Sequence, residues 1–338
     1  MADDTKTPLV PRLIARALSF RVVRAYLRYS ERRGPLLADS VTYRTLFSVF
    51  AGVLLGFSVA ALWLAGNPQA WQSLISAVDG VIPGLIGKDG IIDIEKLGEP
   101  VAFSFAGAFS LVGLVLAAIG AIGSLRAALR TIADKVHDDT LVFIVLGRNL
   151  LLAVVIGAGL VAAAAATVLG TAGVGLVAGF VGVSAENPVT VGVSAVVGIL
   201  VTFALDTAVV ALLFRALSGV HAPARALWTG ALIGGVGLTV LQQLSSLFVG
   251  GAGSNPLLAS FASLIALLLW INLSCQVILI ASSYIVTATL ESEDRVRRVH
   301  GATTLVERRV QTAEDQVKAA ADELRAAREA LAAERSAG

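Results

Sequence analysis

The fold is decided by residues 257–287, which read LLASFASLIALLLWINLSCQVILIASSYIVT and contain no Asp, Glu, Lys, Arg or His. A helix needs roughly 20 apolar residues to cross a hydrocarbon core of ~30 Å at ~1.5 Å per residue, so this stretch can span a membrane. Five further apolar runs precede it. The six runs cover residues 46–64, 101–123, 141–169, 189–213, 226–249 and 257–287. The sequence therefore predicts an all-α membrane bundle of six transmembrane helices within residues 35–290.

The basic residues are distributed unevenly among the segments that join these runs. Eight lie between Lys6 and Arg33, before the first run, and nine follow the last run. The second and fourth gaps also carry basic residues, whereas the third and fifth carry none and the first carries only Lys88 and Lys96. Segments rich in Lys and Arg stay on the cytoplasmic side of a membrane. Both termini are therefore predicted to be cytoplasmic.

The third run leaves one alternative open. Residues 141–182 are apolar almost without a break and could hold two spans. Seven spans would place the basic tail outside, against the charge rule, so we keep a single span. Residues 174–184 then form a re-entrant or an interfacial segment on the outer side. Residues 71–86, in the first outer gap, are predicted to form an interfacial helix.

The segment before the first span, residues 1–34, is predicted to be one amphipathic helix that ends at Gly34-Pro35. Its apolar residues recur at the spacing of one helical face, and its arginines lie largely on the other. Such a helix would lie on the anionic inner leaflet; alternatively, it packs under the bundle as a structural elbow. The candidates for lipid-headgroup contact are Arg12, Arg16, Arg24, Arg28 and, near the interface of the first span, Arg44.

The tail, residues 291–338, is predicted to be a cytoplasmic helix. From Val306 to Leu331 the apolar residues alternate at spacings of four and three, the pattern of a coiled coil. Three of these eight positions are Ala, so any homo-oligomer formed through the tail would be weak. A solvated single helix and a dimer stalk both fit the pattern.

Polar residues inside the spans are costly in lipid and are therefore candidates for a substrate pathway. Arg148 and Asp206 are expected at equal depth in the third and fourth spans, about 10 Å inside the cytoplasmic edge, and form a candidate buried pair. Asn149 could extend their polar lining. Asn272 and Gln276 are four residues apart on one face of the last span. The alternative is that all of these residues hold helices together.

Two short motifs resemble the YihY/BrkB family of membrane proteins. The first is DSVTYRTLFSVF at residues 39–50, and the second is WINLSCQV at residues 270–277. The basic N-terminus, the six spans and the cytoplasmic tail fit the same family. Many members have Pro where this chain has Ala51, and Gly-Ala-Glu where residues 281–283 are Ala-Ser-Ser. These departures bear on whether the family activity is retained.

The resemblance implies a multi-pass protein of a bacterial inner membrane with a role in envelope integrity or transport. We expect a transporter or flippase of a lipid or another amphipathic envelope molecule. The alternative is a non-transporting envelope-integrity scaffold that binds lipids or partner proteins. A continuous polar cavity that reaches mid-membrane would distinguish the transporter from the scaffold.

The residues argue against an enzyme, including the ribonuclease label that the family once carried. His137, His221 and His300 are far apart in the sequence, and no His/Asp cluster has metal-ligand spacing. The sequence has no P-loop, dinucleotide-binding turn or nucleophile elbow, and no evident groove of basic and aromatic residues. We therefore expect no catalytic residue, metal, cofactor or nucleic-acid partner, and we expect Cys275 to be a small apolar core residue.

Overall fold

The computed structural model describes residues 9–63, 105–135, 144–156, 158–159, 187–249, 256–293 and 304–337. The regular structure in this part of the chain is helical, with no β-strand, which confirms the all-α class there. The helices are α1 (Leu9–Ser19), α2 (Arg21–Glu31), α3 (Gly34–Trp63), α4 (Phe105–Ile132), α5 (Ile144–Ile156), α6 (Pro188–Leu217), α7 (Ala224–Val249), α8 (Pro256–Glu293) and α9 (Leu305–Ala337).

Four of these helices are long and apolar enough to cross a membrane. The candidate spans are Val112–Ile132 in α4, Val191–Leu217 in α6, Ala224–Leu244 in α7 and Leu264–Ser292 in α8. They agree with four of the six predicted spans. Helix α3 extends over 30 residues and α5 is a shorter apolar helix, so the first and third spans stay predictions. The segments at residues 71–86 and 174–184 lie outside the described residues.

The N-terminal segment forms two helices, so the prediction of one continuous helix is wrong. Phe20, between α1 and α2, has extended backbone angles of φ −82° and ψ 126°. The break has a local cause in Arg24, whose Nη1 donates to the carbonyl oxygens of Leu18 at 2.6 Å and Ser19 at 2.8 Å. These carbonyls are among the last of α1, and a basic side chain that satisfies them favours a helix end there.

A tight corner joins α2 to α3, at the predicted Gly34-Pro35 break. Arg33 has a positive φ of 56°, and α3 begins at the next residue. A side chain on Gly34 would overlap the ring of Tyr29, which is only 2% exposed. Glycine therefore allows the ring to fill the inside of the corner, and Pro35 occupies the first turn of α3, where its missing N–H costs nothing.

Several helices of the bundle begin or end at a common side, which we call the basic face. It is the side where α2 lies, where α3 and α7 begin, and where α4, α6 and α8 end. Leu227 of α7, Phe214 of α6 and Val286 of α8 share one apolar core there. A second core joins α2, α3, α4 and α8 around Tyr29, Leu129 and Leu279. The arginines of α2 lie at this face.

Two pairs of arginines fasten α2 to the ends of the long helices. Arg21 and Arg24 contact Glu291 of α8, at 2.8 and 2.7 Å. The buried hydroxyl of Ser283, also on α8, donates to the carbonyl oxygen of Ala25 at 2.7 Å. Helix α2 therefore runs along the end of α8, as the elbow alternative predicted.

The second arginine pair binds just beyond α4. Arg28 and Arg32 contact Asp134, at 2.6 and 2.9 Å. The Nε of Arg28 also donates to the carbonyl oxygen of Ile132 at 3.0 Å. Burial lowers the pKa of Arg28, and the nearby carboxylate of Asp134 opposes that change. We call these contacts of α2 with Glu291 and Asp134 the arginine clamp.

Replacing Glu291 should loosen the arginine clamp. Breaking a fully buried ion pair costs about 3–5 kcal/mol, and the partial exposure of Arg21 and Arg24 lowers the expected loss for Glu291→Gln to about 2 kcal/mol. Thermal unfolding in detergent measures it. Asp322→Asn is the control, because Asp322 and its partner Arg325 are both exposed and that variant should change the free energy of unfolding little. Equal effects of the two variants would show that the clamp does not hold α2.

Candidate functional site

The two sequence motifs contact each other across α3 and α8. The Nδ2 of Asn272 donates to Oδ1 of Asp39 at 2.8 Å and lies 3.3 Å from the hydroxyl of Thr42. The Nε2 of Gln276 donates to Oδ1 of Asn272 at 2.7 Å. We call Asp39, Thr42, Asn272 and Gln276 the polar crevice. It joins residues more than 200 positions apart in the sequence.

Helical spacing and small core residues together build the polar crevice. Asp39 and Thr42 are three residues apart on α3, and Asn272 and Gln276 are four apart on α8, so each pair shares a helix face. Next to them Ala38 of α3 is fully buried in the same core as Cys275 of α8. A small residue at that point lets the two helices approach closely. The crevice therefore forms the polar edge of an apolar contact.

The hydrogen bonds of the polar crevice run in one direction and end at an open carboxylate. Gln276 donates to Asn272, and Asn272 donates to Asp39. The hydroxyl of Thr42 donates to the carbonyl oxygen of Ala38 at 2.7 Å, so its oxygen can accept from Asn272. Asp39 itself is exposed. Its carboxylate therefore keeps acceptor capacity for a molecule that enters from outside.

Tyr29 fills the corner between α2 and α3, a few residues before the crevice. Its hydroxyl is buried and has no hydrogen-bond partner among the described residues. Burial raises the pKa of Tyr29 to about 12, and the neighbouring Tyr26 and Asp39 add to the increase. The hydroxyl is therefore held neutral, and the ring contributes mainly packing.

Asp206 lies in a different place, between α6 and α7. It accepts hydrogen bonds from Oγ1 of Thr239 and from Nε2 of Gln242, both at 3.4 Å. Gly235 allows α7 to approach at this level, since a side chain there would overlap Thr207 of α6. These contacts tie α6 to α7 and do not reach the polar crevice.

The predicted pair of Arg148 with Asp206 is wrong. Arg148 is exposed, and its Nη2 donates to the carbonyl oxygen of Ala216 at 2.7 Å. Ala216 is about ten residues beyond Asp206 on α6, a separation of ~15 Å along the helix axis. The prediction measured depth from the ends of the apolar runs, whereas α6 continues to Leu217. The long side chain of Arg148 satisfies a carbonyl at that helix end.

Asn149 does not extend a polar lining either. It is 2% exposed, and its Nδ2 would lie 3.5 Å from a side-chain carbon added to Gly123 of α4. It therefore faces α4. Of the five pathway candidates, the structure brings together only Asn272 and Gln276.

The headgroup candidates divide into two groups. Arg24 and Arg28 belong to the arginine clamp, so their main contacts are within the protein, and this corrects the expectation that they lie free on a membrane surface. Arg16 and Arg44 are exposed, and lipid contact stays a prediction for them. The side chain of Arg12 lies outside the described part of the chain.

A cavity of about 90 Å³ lies at the basic face, between α2, α8 and α9. Its charged lining comprises Arg24, Arg28, Arg32, Arg308, Glu31, Glu291 and Asp315. The near balance of charge does not favour an anion site there. No group of three or more His, Cys, Asp and Glu residues that could hold a metal occurs in the described ranges.

Sequence reasoning missed three carboxylates that organise this half of the molecule. Glu291, Asp134 and Asp39 each accept from side chains on another helix. A signal for the first two was available, because Arg21 and Arg24 are three residues apart and Arg28 and Arg32 are four apart on α2. Two arginines on one helix face, with an acid at the end of a nearby span, indicate an ion pair.

A charge exchange tests the polar crevice. Asn272→Asp would place two carboxylates in contact and should lower the free energy of unfolding by about 1–2 kcal/mol. The double variant Asp39→Asn with Asn272→Asp reverses the hydrogen bond and should recover most of that loss. Thermal unfolding in detergent of the two single variants and the double variant gives the coupling. Additive effects would contradict the contact.

The neutral Tyr29 predicts a loss of stability at alkaline pH. The unfolded state ionises near pH 10 and the folded state near 12, so the stabilising contribution is complete below pH 10 and is lost as pH rises towards 12. The loss is at most about 1.4 kcal/mol per pH unit over that window. Tyr29→Phe should remove this alkaline loss of stability and change the free energy of unfolding little at pH 7. Tyr43→Phe, at an exposed position, should leave the alkaline loss as it is in the wild-type protein. Melting curves from pH 8 to 12 distinguish the variants.

Comparison with known proteins agrees with the two motifs. Residues 25–304 match the family model described as virulence factor BrkB. No curated protein and no solved structure matches the chain. The matched region begins within α2 and continues past the end of α8, so it contains the polar crevice. It also contains Arg28, Arg32, Asp134 and Glu291 of the arginine clamp, whereas Arg21 and Arg24 precede it. The chain therefore belongs to the YihY/BrkB family of membrane proteins.

Proposed function

We propose that this protein is a transporter or flippase that moves a lipid or another amphipathic envelope molecule across a bacterial inner membrane. The observation that supports the proposal is the polar crevice. Asn272 and Gln276 lie within an apolar candidate span, and they carry a chain of hydrogen bonds to the exposed carboxylate of Asp39. Polar groups in such a span are costly unless they pair with one another. Where they occur, they are candidates for a substrate pathway.

The chemistry of the crevice indicates which headgroups would fit. Asp39 offers an acceptor with negative charge, and the amides of Asn272 and Gln276 offer both donors and acceptors. A headgroup with ammonium or hydroxyl donors could replace the hydrogen bond from Asn272 to Asp39. A headgroup with only phosphate oxygens would meet the Asp39 carboxylate as a like charge. We therefore expect zwitterionic or hydroxylated headgroups in the crevice, with acyl chains in the surrounding lipid.

The orientation in the proposal follows from charge. With six spans and both termini in the cytoplasm, the basic face lies at the inner leaflet, whose lipids are partly anionic. Exposed Arg16 and Arg44 would then contact lipid headgroups. We propose no catalytic step, cofactor or nucleic-acid partner for this activity.

One observation favours the second candidate function, a non-transporting scaffold. The predicted pathway residues occupy separate places, with Asp206 between α6 and α7, and Asn149 against α4. A scaffold needs only lipid-binding or partner-binding surfaces. A transporter needs the crevice to lead a headgroup across the bilayer.

Lipid movement in proteoliposomes tests the proposal. The protein is reconstituted with a fluorescent lipid, and an impermeant quencher reports how fast the inner-leaflet label becomes accessible. We expect the wild-type protein to accelerate this exchange, and Asp39→Asn and Asn272→Leu to lower it by at least about tenfold, which corresponds to about 1.4 kcal/mol. Asp322→Asn, on the exposed tail, is the matched charge control.

The headgroup series decides between the two candidates. Labelled lipids with ethanolamine or glycerol headgroups should move faster than labelled phosphatidic acid. A wild-type rate equal to that of empty liposomes for every headgroup would favour the scaffold. Unchanged rates in both crevice variants would show that lipid passes elsewhere.

A further inference from the structure

The tail helix α9 is fastened to the bundle at its start. Thr304 and Glu307 exchange hydrogen bonds between side chain and backbone, at 3.1 and 3.2 Å, and so form a capping box. Arg308 then contacts Glu31 of α2 at 2.9 Å and donates to the carbonyl oxygen of Arg24 at 3.1 Å. The hydroxyl of Thr312 lies 3.4 Å from Glu31. The first turns of α9 therefore lie against α2.

The apolar seam of α9 points away from that contact. In the heptad that Val306 and Val310 begin, Arg308 occupies position f and Thr312 position c, both on the outer face of a coiled coil. Val310 is two residues from either one, which is ~200° around the helix. The large seam residues are exposed: Val306 70%, Val310 53%, Val317 70%, Leu324 52% and Leu331 47%. The bundle thus holds α9 by one face and leaves the other uncovered.

We propose that α9 pairs with α9 of a second copy of this chain, as a parallel two-stranded coiled coil. Positions a are Val310, Val317, Leu324 and Leu331, and positions d are Val306, Ala313, Ala320 and Ala327. Both tails leave the same face of their bundles in one membrane, which favours the parallel direction. This proposal is independent of any transport activity.

Charge complementarity identifies the partner as a second copy. In a parallel, in-register pair, each g position lies beside the following e position of the other helix. Arg309 at g then lies beside Glu314 at e, and Glu323 at g lies beside Arg328 at e. The other two g–e positions pair Gln316 with Ala321 and Ala330 with Arg335, so no like charges oppose each other.

Cysteine cross-linking of the full chain in membranes tests the direction and the register. Cys275 is buried and is replaced by Ala, so that one introduced thiol remains. Val310→Cys and Leu331→Cys, near opposite ends of the seam, should each form a disulfide-linked dimer under mild oxidation. Asp322→Cys, at position f, is the matched control and should give at most about a tenth of that yield. Cross-links no stronger than this control would overturn the proposal. Cross-links at Leu324→Cys but at neither end would overturn the parallel arrangement.

A charge reversal tests the pairing independently of oxidation. Arg309→Glu creates two like-charge pairs in the dimer, one on each side, and Glu314→Arg does the same with the opposite sign. Each should lower the dimer fraction in detergent by about tenfold, and the double variant should restore it. Single variants that dimerise as well as the wild-type chain would contradict the proposed register. The restored dimer in the double variant would exclude a loss of folding as the cause.

Discussion

The position of α2 depends on two carboxylates that each hold two arginines. Glu291 is 7% exposed at its side chain and lies between Arg21 and Arg24, and Asp134 lies between Arg28 and Arg32. An acid in such surroundings is stable only while its cations are present, because a lone buried charge is costly. If helix α2 left the ends of α4 and α8, the carboxylates of Glu291 and Asp134 would therefore lose the arginines that compensate their charge. The corner at Gly34 transmits this constraint to the start of α3.

Helix α8 carries the contacts with α2 and α3 in sequence along its length. Glu291 holds Arg24, Ser283 holds the carbonyl of Ala25, and Asn272 holds Asp39. From Glu291 to Asn272 the helix rises ~28 Å, so one continuous element connects the basic face to the polar crevice. Ser283 is fully buried, and its hydroxyl holds α8 against α2 through the carbonyl oxygen of Ala25.

The features that could be predicted from the sequence were those that depend on residues close together in the chain. Apolar length predicted four of the described helices as spans, and Gly34-Pro35 predicted the corner. The break at Phe20 was missed because Arg24 satisfies carbonyls of the preceding helix, an alternative that apolar periodicity does not reveal. The Arg148–Asp206 pair failed for a related reason, since the reach of an arginine side chain and the true end of α6 both shift the contact towards Ala216. Asp39 became a partner of Asn272 only through tertiary packing.

Glu31 connects the tail to this framework. It is the last residue of α2, it binds Arg308 of α9, and it lies three residues before Gly34. Asp39 lies on α3 less than two turns beyond the corner. Glu31 therefore joins the start of α9 to the corner that sets the direction of α3, whereas the arginine clamp joins α2 to α8 and to the end of α4.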